Sequence, residues 1–226
     1  MDKVATVIMT IGVIAVVFTW ILVAIAHWHL HRQKRLLDTF VSQGVSFDLP
    51  SISILKPIRG VDDGLLENLS ALVSQDYPAF EILIGIKDPL DPAHQVVAQL
   101  RQAYPTFPIR VLTGFEDIGL NPKVNSLYAL FHEATYPLCL ISDADVYPHP
   151  DYLRRLVTGY LVHDAKLAHS VLLGYGARTL GAWLDNLQIN SFVAVTQLAL
   201  DAVKHPTVVG KSMLFAKADL ERIGGW

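Results

Sequence analysis

Hydrophobic residues are distributed in two ways along the chain: one long run near the N-terminus, then short runs separated by polar segments. Residues 4–26 contain no charged side chain and are almost wholly apolar. As a helix, these 23 residues would span about 34 Å, which is enough to cross a bilayer. The run is too long for the apolar core of a signal peptide, and no small-residue cleavage site follows it. The pattern therefore predicts a retained transmembrane helix.

Basic residues are concentrated on one side of this predicted helix. Arg32, Lys34 and Arg35 follow it, whereas only Lys3 precedes it. Because basic flanks stay on the cytoplasmic side, we expect a single-pass membrane protein whose remaining chain faces the cytoplasm. The three histidines in the basic flank do not share one helical face. We therefore interpret residues 27–50 as a basic juxtamembrane linker and not as a metal site.

Beyond residue 50, apolar runs of strand length alternate with segments of helical periodicity. Asp91 followed by Pro92 is typical of a helix start. This alternation predicts an α/β fold with a mainly parallel sheet, and residues 51–226 have the length of one domain. Strands are predicted at residues 51–56, 80–86, 109–112 and 138–142, and helices at residues 65–74, 92–103 and 123–132.

Charged residues stand at the carboxyl ends of three predicted strands. They are Lys56, the pair Lys87-Asp88, and the pair Asp143 and Asp145. Open α/β sheets bind ligands at this edge, and two carboxylates there can hold a divalent cation together with a diphosphate. These positions predict a nucleotide-diphosphate site, with a polar turn carrying two solvated acids as the alternative.

Composition and absent motifs exclude several other classes of function. A net charge of -3, without a basic stripe interleaved with aromatic residues, argues against a nucleic-acid partner. The single Cys139 can form no intrachain disulfide and is interpreted as a small core residue, in agreement with a cytoplasmic domain. Neither a GxGxxG motif nor a P-loop occurs, which argues against dinucleotide binding and phosphoryl transfer.

Five segments resemble the ceramide glucosyltransferases and their bacterial relatives, in the order and spacing of that family. They cover essentially all of residues 51–226 and read ISILKPIRGVDDGLLENLSALVSQDYP, IKDPLDPA, GLNPKVNSL, ISDADVYP and VVGKSMLFAKADLERIGGW. The resemblance implies an inverting, membrane-attached glycosyltransferase with the GT-A, Rossmann-like nucleotide-sugar fold. It implies a UDP-sugar donor, most simply UDP-glucose, a membrane lipid acceptor such as ceramide, and Mg²⁺ or Mn²⁺ as cofactor.

The resemblance also implies roles for individual residues. Asp88 matches the acid that binds the uracil and ribose, and Asp143 and Asp145 match the site where the metal bridges protein and diphosphate. The other donor-binding positions are Lys56, Asn121, Lys123, Asn125, Gly210, Lys211 and Ser212. Taken without the resemblance, the same positions allow ordinary structural roles: a turn at Asp88, a solvated strand end at Lys56, a helix cap at Asn121, and a strand connection at residues 210–212.

A further helical segment, residues 179–203, contains large apolar residues such as Trp183, Leu187 and Phe192. One interpretation is an amphipathic helix at the membrane interface that helps to admit a lipid acceptor. The other is an ordinary helix packed in the core. Asp185 and Asn190 belong to its polar face in either case.

Part of the family pattern has no counterpart here. The resemblance implies a third acidic site after the GGW-like segment and a later Gln-x-x-Arg-Trp motif, neither of which is matched up to Trp226. We expect the third acid to be the general base for the acceptor hydroxyl. No catalytic residue is therefore assigned, the base is expected beyond Trp226, and the chain is expected to be inactive alone. A hopanoid-directed N-acetylglucosaminyl transferase and an inactive nucleotide-sugar-binding membrane fragment remain alternatives.

Overall fold

The computed structural model describes residues 3–42 and 48–226, and the chain divides into two compact units. The first unit combines the N-terminal helix with residues 171–208. The second contains the described residues from 48 to 170 together with residues 209–226. The sequence predicted one domain over residues 51–226, but residues 171–208 instead group with the N-terminal helix.

The N-terminal helix of the first unit, α1, extends over Lys3–Ser42. Among the described residues it is the one helix long and apolar enough to cross a membrane. The predicted linker over residues 27–50 is helical as far as Ser42, and residues 43–47 lie outside the described part of the chain. The helix continues because neither glycine nor proline occurs from residue 13 to residue 43.

The rest of the first unit is mainly a continuous helical stretch built from α6 (Leu180–Gln188), a π-helical turn (Ile189–Val193) and α7 (Ala194–Ala202). Thr179 caps its start, because the Thr179 hydroxyl accepts a hydrogen bond of 3.2 Å from the Ala182 amide. The predicted helix over residues 179–203 is confirmed. Within this unit α7 packs against α1.

The second unit is built on a six-stranded sheet in the order β3-β2-β1-β4-β6-β5. Strands β1 to β4 are parallel, whereas β6 is antiparallel to both of its neighbours. The mainly parallel sheet is therefore confirmed. The strands are β1 (Ile52–Pro57), β2 (Phe80–Gly85), β3 (Ile109–Leu112), β4 (Leu138–Ser142), β5 (Leu167–His169) and β6 (Ser212–Ala216). The helices of this unit are α2 (Leu65–Val73), α3 (Ala93–Ala103), α4 (Pro122–Glu133), α5 (Tyr152–Val162) and α8 (Lys217–Arg222).

Apolar side chains cover both faces of the sheet, because alternate residues of each strand point to opposite faces. Ile52 and Ile54 of β1 belong to a core layer shared with helices α2, α3 and α5. Leu55 points to the other layer, which contains Cys139 and residues of α4. Burial raises the pKa of the Cys139 thiol to about 12, as expected for a core residue without redox chemistry.

The order of the strands reverses between β1 and β4. The chain passes from β1 outward to β2 and β3, and then returns to β4 on the other side of β1. Such a reversal is where open α/β sheets bind their ligands. Because β6 is antiparallel to β4, its first residue, Ser212, pairs with the last residue of β4, Ser142. Residues 210–212 therefore lie at the same edge as the ends of the parallel strands.

Candidate active site

A buried lysine lies beneath the turn that follows β4. Lys56 is fully buried, and its ammonium group donates to the Asp143 carbonyl at 2.5 Å and to the Ser142 hydroxyl at 3.2 Å. Burial lowers the pKa of Lys56 to about 8, an effect that the Asp143 and Asp145 carboxylates partly offset. The interpretation of Lys56 as a solvated strand end is wrong, because β1 is a central strand covered on both faces. Lys56 holds the Asp143 turn from inside the fold.

The Asp143 carboxylate faces a second lysine, which comes from the first turn of α4. Lys123 Nζ lies 2.5 Å from Asp143 Oδ1 and donates to the Gly210 carbonyl at 2.9 Å. Three segments that are distant in sequence thus meet at one ammonium group: the end of β4, the start of α4, and the loop before β6. The predicted site residues Lys123, Asp143 and Gly210 are brought together.

Asp145 is paired with a third lysine. Lys211, immediately before β6, donates to Asp145 Oδ2. Both side chains are about half exposed, so this ion pair contributes little to stability and its partners can separate readily. In total, three ammonium groups surround two carboxylates, which leaves one net positive charge at the end of β4. Such a site attracts anions.

Asn121 and Asn125 make hydrogen bonds within the protein. Asn121 caps α4, its side-chain oxygen accepting from the Lys123 amide at 3.0 Å and the Val124 amide at 3.4 Å. The buried Asn125 accepts from the amides of Ile118 and Gly119, and donates to the Gly119 carbonyl and to Asp117. These contacts use both donors and both acceptor positions of the Asn125 amide. Asn125 therefore shapes residues 117–119, and its predicted contact with a sugar stays a prediction.

Asp88 follows β2 at the same edge of the sheet as the end of β4. It is exposed on the loop after β2, where its carboxylate accepts from the Leu90 amide at 2.9 Å. Asp88 thus has the structural role in a turn, and its recognition of the uracil and ribose stays a prediction. Its neighbour Lys87 pairs with Asp117, which in turn binds Asn125.

A cluster of hydroxyl groups was missed by the sequence analysis. Ser212, fully buried at the start of β6, bonds to the Tyr152 hydroxyl at 2.7 Å and accepts from the Ser170 hydroxyl at 2.8 Å. Burial raises the pKa of Tyr152, although the two serines oppose the shift. The cluster fixes β6 and the preceding Gly210-Lys211 segment. Only Ser212 was identified from sequence, because isolated Ser and Tyr residues carry no pattern of their own.

The carboxylates at the end of β4 suit a divalent cation that is shared with a ligand. Asp143 Oδ1 is buried and, despite its ion pair with Lys123, receives no well-aligned hydrogen bond. No group of three His, Cys, Asp or Glu side chains converges within the residues that the structure describes. Two carboxylates supply hard oxygen ligands, and a bound diphosphate would have to supply others.

Residues 12–226 of the chain match the family described as Glycosyl transferase family 21. Ceramide glucosyltransferase 1 of Caenorhabditis elegans is 35% identical over 127 residues, which are 56% of this chain and 27% of that protein. Ceramide glucosyltransferase 3 of the same organism is 29% identical over 217 residues, or 95% of this chain and 47% of that protein. The chain thus spans about a quarter to a half of the length of these curated relatives.

Solved structures show the same fold at low sequence identity. The mannosyltransferase PcManGT from Pyrobaculum calidifontis, in complex with GDP-Man and Mn²⁺, has a TM-score of 0.56 and 18% identity, over 91% of this chain and 59% of that one. TarS of S. aureus has a TM-score of 0.54 and 16% identity, over 77% of this chain and 30% of that one. These proteins have the GT-A fold, so the predicted fold class is confirmed.

Proposed function

Because the chain belongs to glycosyltransferase family 21, we propose that its second unit binds a UDP-sugar for transfer of the hexose, most simply glucose, to a ceramide-like membrane lipid. One observation carries the proposal for the donor site. Lys123 and Lys211, from separate elements, meet Asp143 and Asp145 at the end of β4, where the strand order reverses. Carboxylates for a cation and ammonium groups for phosphates are the two kinds of group that a nucleotide diphosphate-sugar requires.

Asp143 and Asp145 would hold Mg²⁺ or Mn²⁺. The cation would offset the negative charge that develops on the departing diphosphate. Each carboxylate is paired with a lysine here, so cation binding competes with Lys123 and Lys211 for the same oxygens. Lys123 and Lys211 would then be available to the donor phosphates. Lys56 stays buried and keeps the Asp143 turn in place throughout.

The start of α4 adds to the attraction for phosphate. Helix N-termini present unpaired amide groups and a positive dipole end to anions. Asn121 already satisfies the amides of Lys123 and Val124, so the side chain of Lys123, and not the bare helix end, is the phosphate ligand of this segment. Gly210, next to that side chain, has open space around its Cα, which lets a ligand approach the backbone closely.

A membrane lipid acceptor fits the first unit. α1 has the length and composition of a membrane-spanning helix, and the basic residues Arg32, Lys34 and Arg35 after its apolar run support a cytoplasmic position for the second unit. The curated relatives are named ceramide glucosyltransferases, which supports ceramide as the acceptor. Protease added outside intact cells is expected to leave the second unit uncut, and cleavage there would refute this orientation.

Calorimetric titration of the full chain in lipid nanodiscs tests the donor site. UDP-glucose is expected to bind in the presence of Mn²⁺ and to bind much more weakly with EDTA. Asp145→Asn should weaken the Mn²⁺-dependent binding by at least about tenfold, because a metal ligand is lost. Asp76→Asn is the matched control, since Asp76 is also an exposed carboxylate in an ion pair, but its partner is Arg154 and not a lysine of the site.

Three outcomes would decide against the assignment. Equal binding with Mn²⁺ and with EDTA would remove the cation from the proposal. Equal loss in Asp145→Asn and Asp76→Asn would show a general effect of removing surface charge. Tighter binding of GDP-mannose or UDP-N-acetylglucosamine than of UDP-glucose would leave the site intact and change the donor.

A further inference from the structure

Helix α6 carries a stripe of large apolar side chains that its own unit leaves exposed. The stripe is formed by Leu180, Trp183, Leu184 and Leu187, whose exposed fractions are 74%, 54%, 52% and 49%. Their spacing of three and four residues places them on one face of the helix. All nine residues of α6 are described, and none of them is buried. Four large side chains that are about half or more exposed on one helix face indicate a binding surface.

A different side of α6 contacts the rest of its own unit, which leaves the stripe facing outward. Asn190, just beyond α6, bonds to both the amide and the carbonyl of Gly174 at 2.8 Å. A side chain at Gly174 would collide with Asn186, because a Cβ atom there would lie 2.3 Å from the Asn186 side-chain oxygen. The segment around Gly174 therefore packs against the side of α6 that carries Asn186, and not against the stripe.

The same helical stretch is attached to the helix that crosses the membrane. α6 continues through the π-helical turn into α7, which packs against α1. His29 of α1 is buried and its Nε2 lies 2.6 Å from Asp201 Oδ2 of α7. His29 follows the apolar run of α1 by three residues and lies next to Trp28, a residue type enriched at membrane interfaces. The attachment point is thus at the predicted boundary between lipid and water.

We propose that the α6 stripe rests on the lipid bilayer, with its apolar side chains at the boundary between headgroups and acyl chains. Leucine and tryptophan on one face and charged or amide side chains on the other are typical of helices that lie in this boundary. Asp185 stays in the water on the opposite face. A second copy of the chain is the less suitable occupant, because two turns of helix offer far less area than a stable dimer buries. The proposal does not depend on the donor assignment.

Site-directed spin labelling of the full chain in phospholipid vesicles tests this surface. The native Cys139 is buried and its pKa is raised to about 12, so an introduced exposed cysteine is labelled selectively. Leu184→Cys places a nitroxide on the stripe, and Asp185→Cys, the next residue, places one on the exposed opposite side. Collisions with oxygen, which concentrates in the bilayer, are compared with collisions with a water-soluble nickel chelate.

The label at Leu184→Cys is expected to collide several-fold more with oxygen than with the chelate, and the ratio should reverse at Asp185→Cys. Equal, high access to the chelate at both positions would overturn the proposal. Spectral broadening that grows with protein density in the vesicles would assign the stripe to a second copy and overturn it as well. Leu187→Cys repeats the measurement one turn away, in case the first variant does not fold.

Discussion

Replacing Lys56 by methionine separates the cost of this residue to stability from its contribution to binding. Lys56 is fully buried, and burial lowers its pKa from 10.5 to about 8. At about 1.4 kcal/mol per pKa unit, the charged side chain destabilises the fold at pH 7 by roughly 3 kcal/mol. Methionine removes this cost together with two hydrogen bonds worth about 1 kcal/mol each. We expect Lys56→Met to be at least as stable as the unsubstituted chain at pH 7.

The pH dependence of the unfolding free energy identifies the charge of Lys56 as the cause of the destabilisation. Between pH 8 and 10.5 the unfolded chain keeps the Lys56 proton while the folded chain has lost it, so this residue makes stability rise with pH. Cys139 opposes the rise, because burial raises its pKa from 9.0 to about 12 and the unfolded thiol ionises first. The comparison with Lys56→Met cancels this shared contribution. The difference in unfolding free energy should shift by roughly 3 kcal/mol in favour of the unsubstituted chain by about pH 10.5.

Denaturant unfolding of both proteins in the same detergent, at a series of pH values, measures this difference. Calorimetry with Mn²⁺ and UDP-glucose at pH 7 measures binding. We expect binding to weaken, because the Asp143 turn loses its support and the site loses one positive charge. A variant that is clearly less stable at pH 7, with a difference that does not change with pH, would show that the charge of Lys56 carries no cost. Unchanged binding would refute its positioning role.

Three further predictions concern residues around the site and the sheet. Asn125→Ala leaves the Ile118 and Gly119 amides unpaired and should lower the melting temperature in a thermal scan by several degrees; an unchanged value would contradict the loop-shaping role. Gly85→Ala places a Cβ atom 2.2 Å from Ser126 Oγ, so it should destabilise the fold by about 1–3 kcal/mol, and adding Ser126→Ala should restore part of the loss. Burial alone would raise the pKa of Glu81, but Ser53, the Thr135 amide and Arg110 lower it overall. The ionised Glu81 side chain therefore stabilises the fold above its unfolded pKa of 4.5, and this contribution is lost as the pH falls below that value. Glu81→Gln should be less stable at pH 7, and its unfolding free energy should decrease less on acidification.

The sheet could be predicted from sequence because its strands are short and mainly apolar. All residues of β2 and of β4 are buried, so runs of mainly apolar residues marked these strands and polar residues marked their ends. β6 lacks such a signal, since two of its five residues are only partly buried. Its antiparallel direction is a tertiary property. The sequence therefore gave no reason to expect residues 210–212 at the end of β4 except the family resemblance.

The roles of single polar residues could be predicted only where the backbone alone determines them. The cap at Asn121 is local, because its side chain bonds to amides two and three residues away. The role of Lys56 is not local, since its partners Ser142 and Asp143 lie in another strand. A lysine at the end of an apolar strand has the same sequence pattern whether the next layer leaves it exposed or covers it. Only the packing of β1 between β2 and β4 distinguishes the two cases.

The arrangement of charges explains why lysines, and not further carboxylates, surround the end of β4. Two unpaired carboxylates close together would repel each other and destabilise the turn in the absence of a cation. Lys123 and Lys211 relieve this repulsion through contacts that are only partly buried, so a cation can replace them at small cost. Lys56 cannot be displaced in this way, because it is enclosed by the sheet. For the proposed donor site, one fixed and two exchangeable ammonium groups would thus keep the turn formed before a ligand binds and leave positive charge for its phosphates.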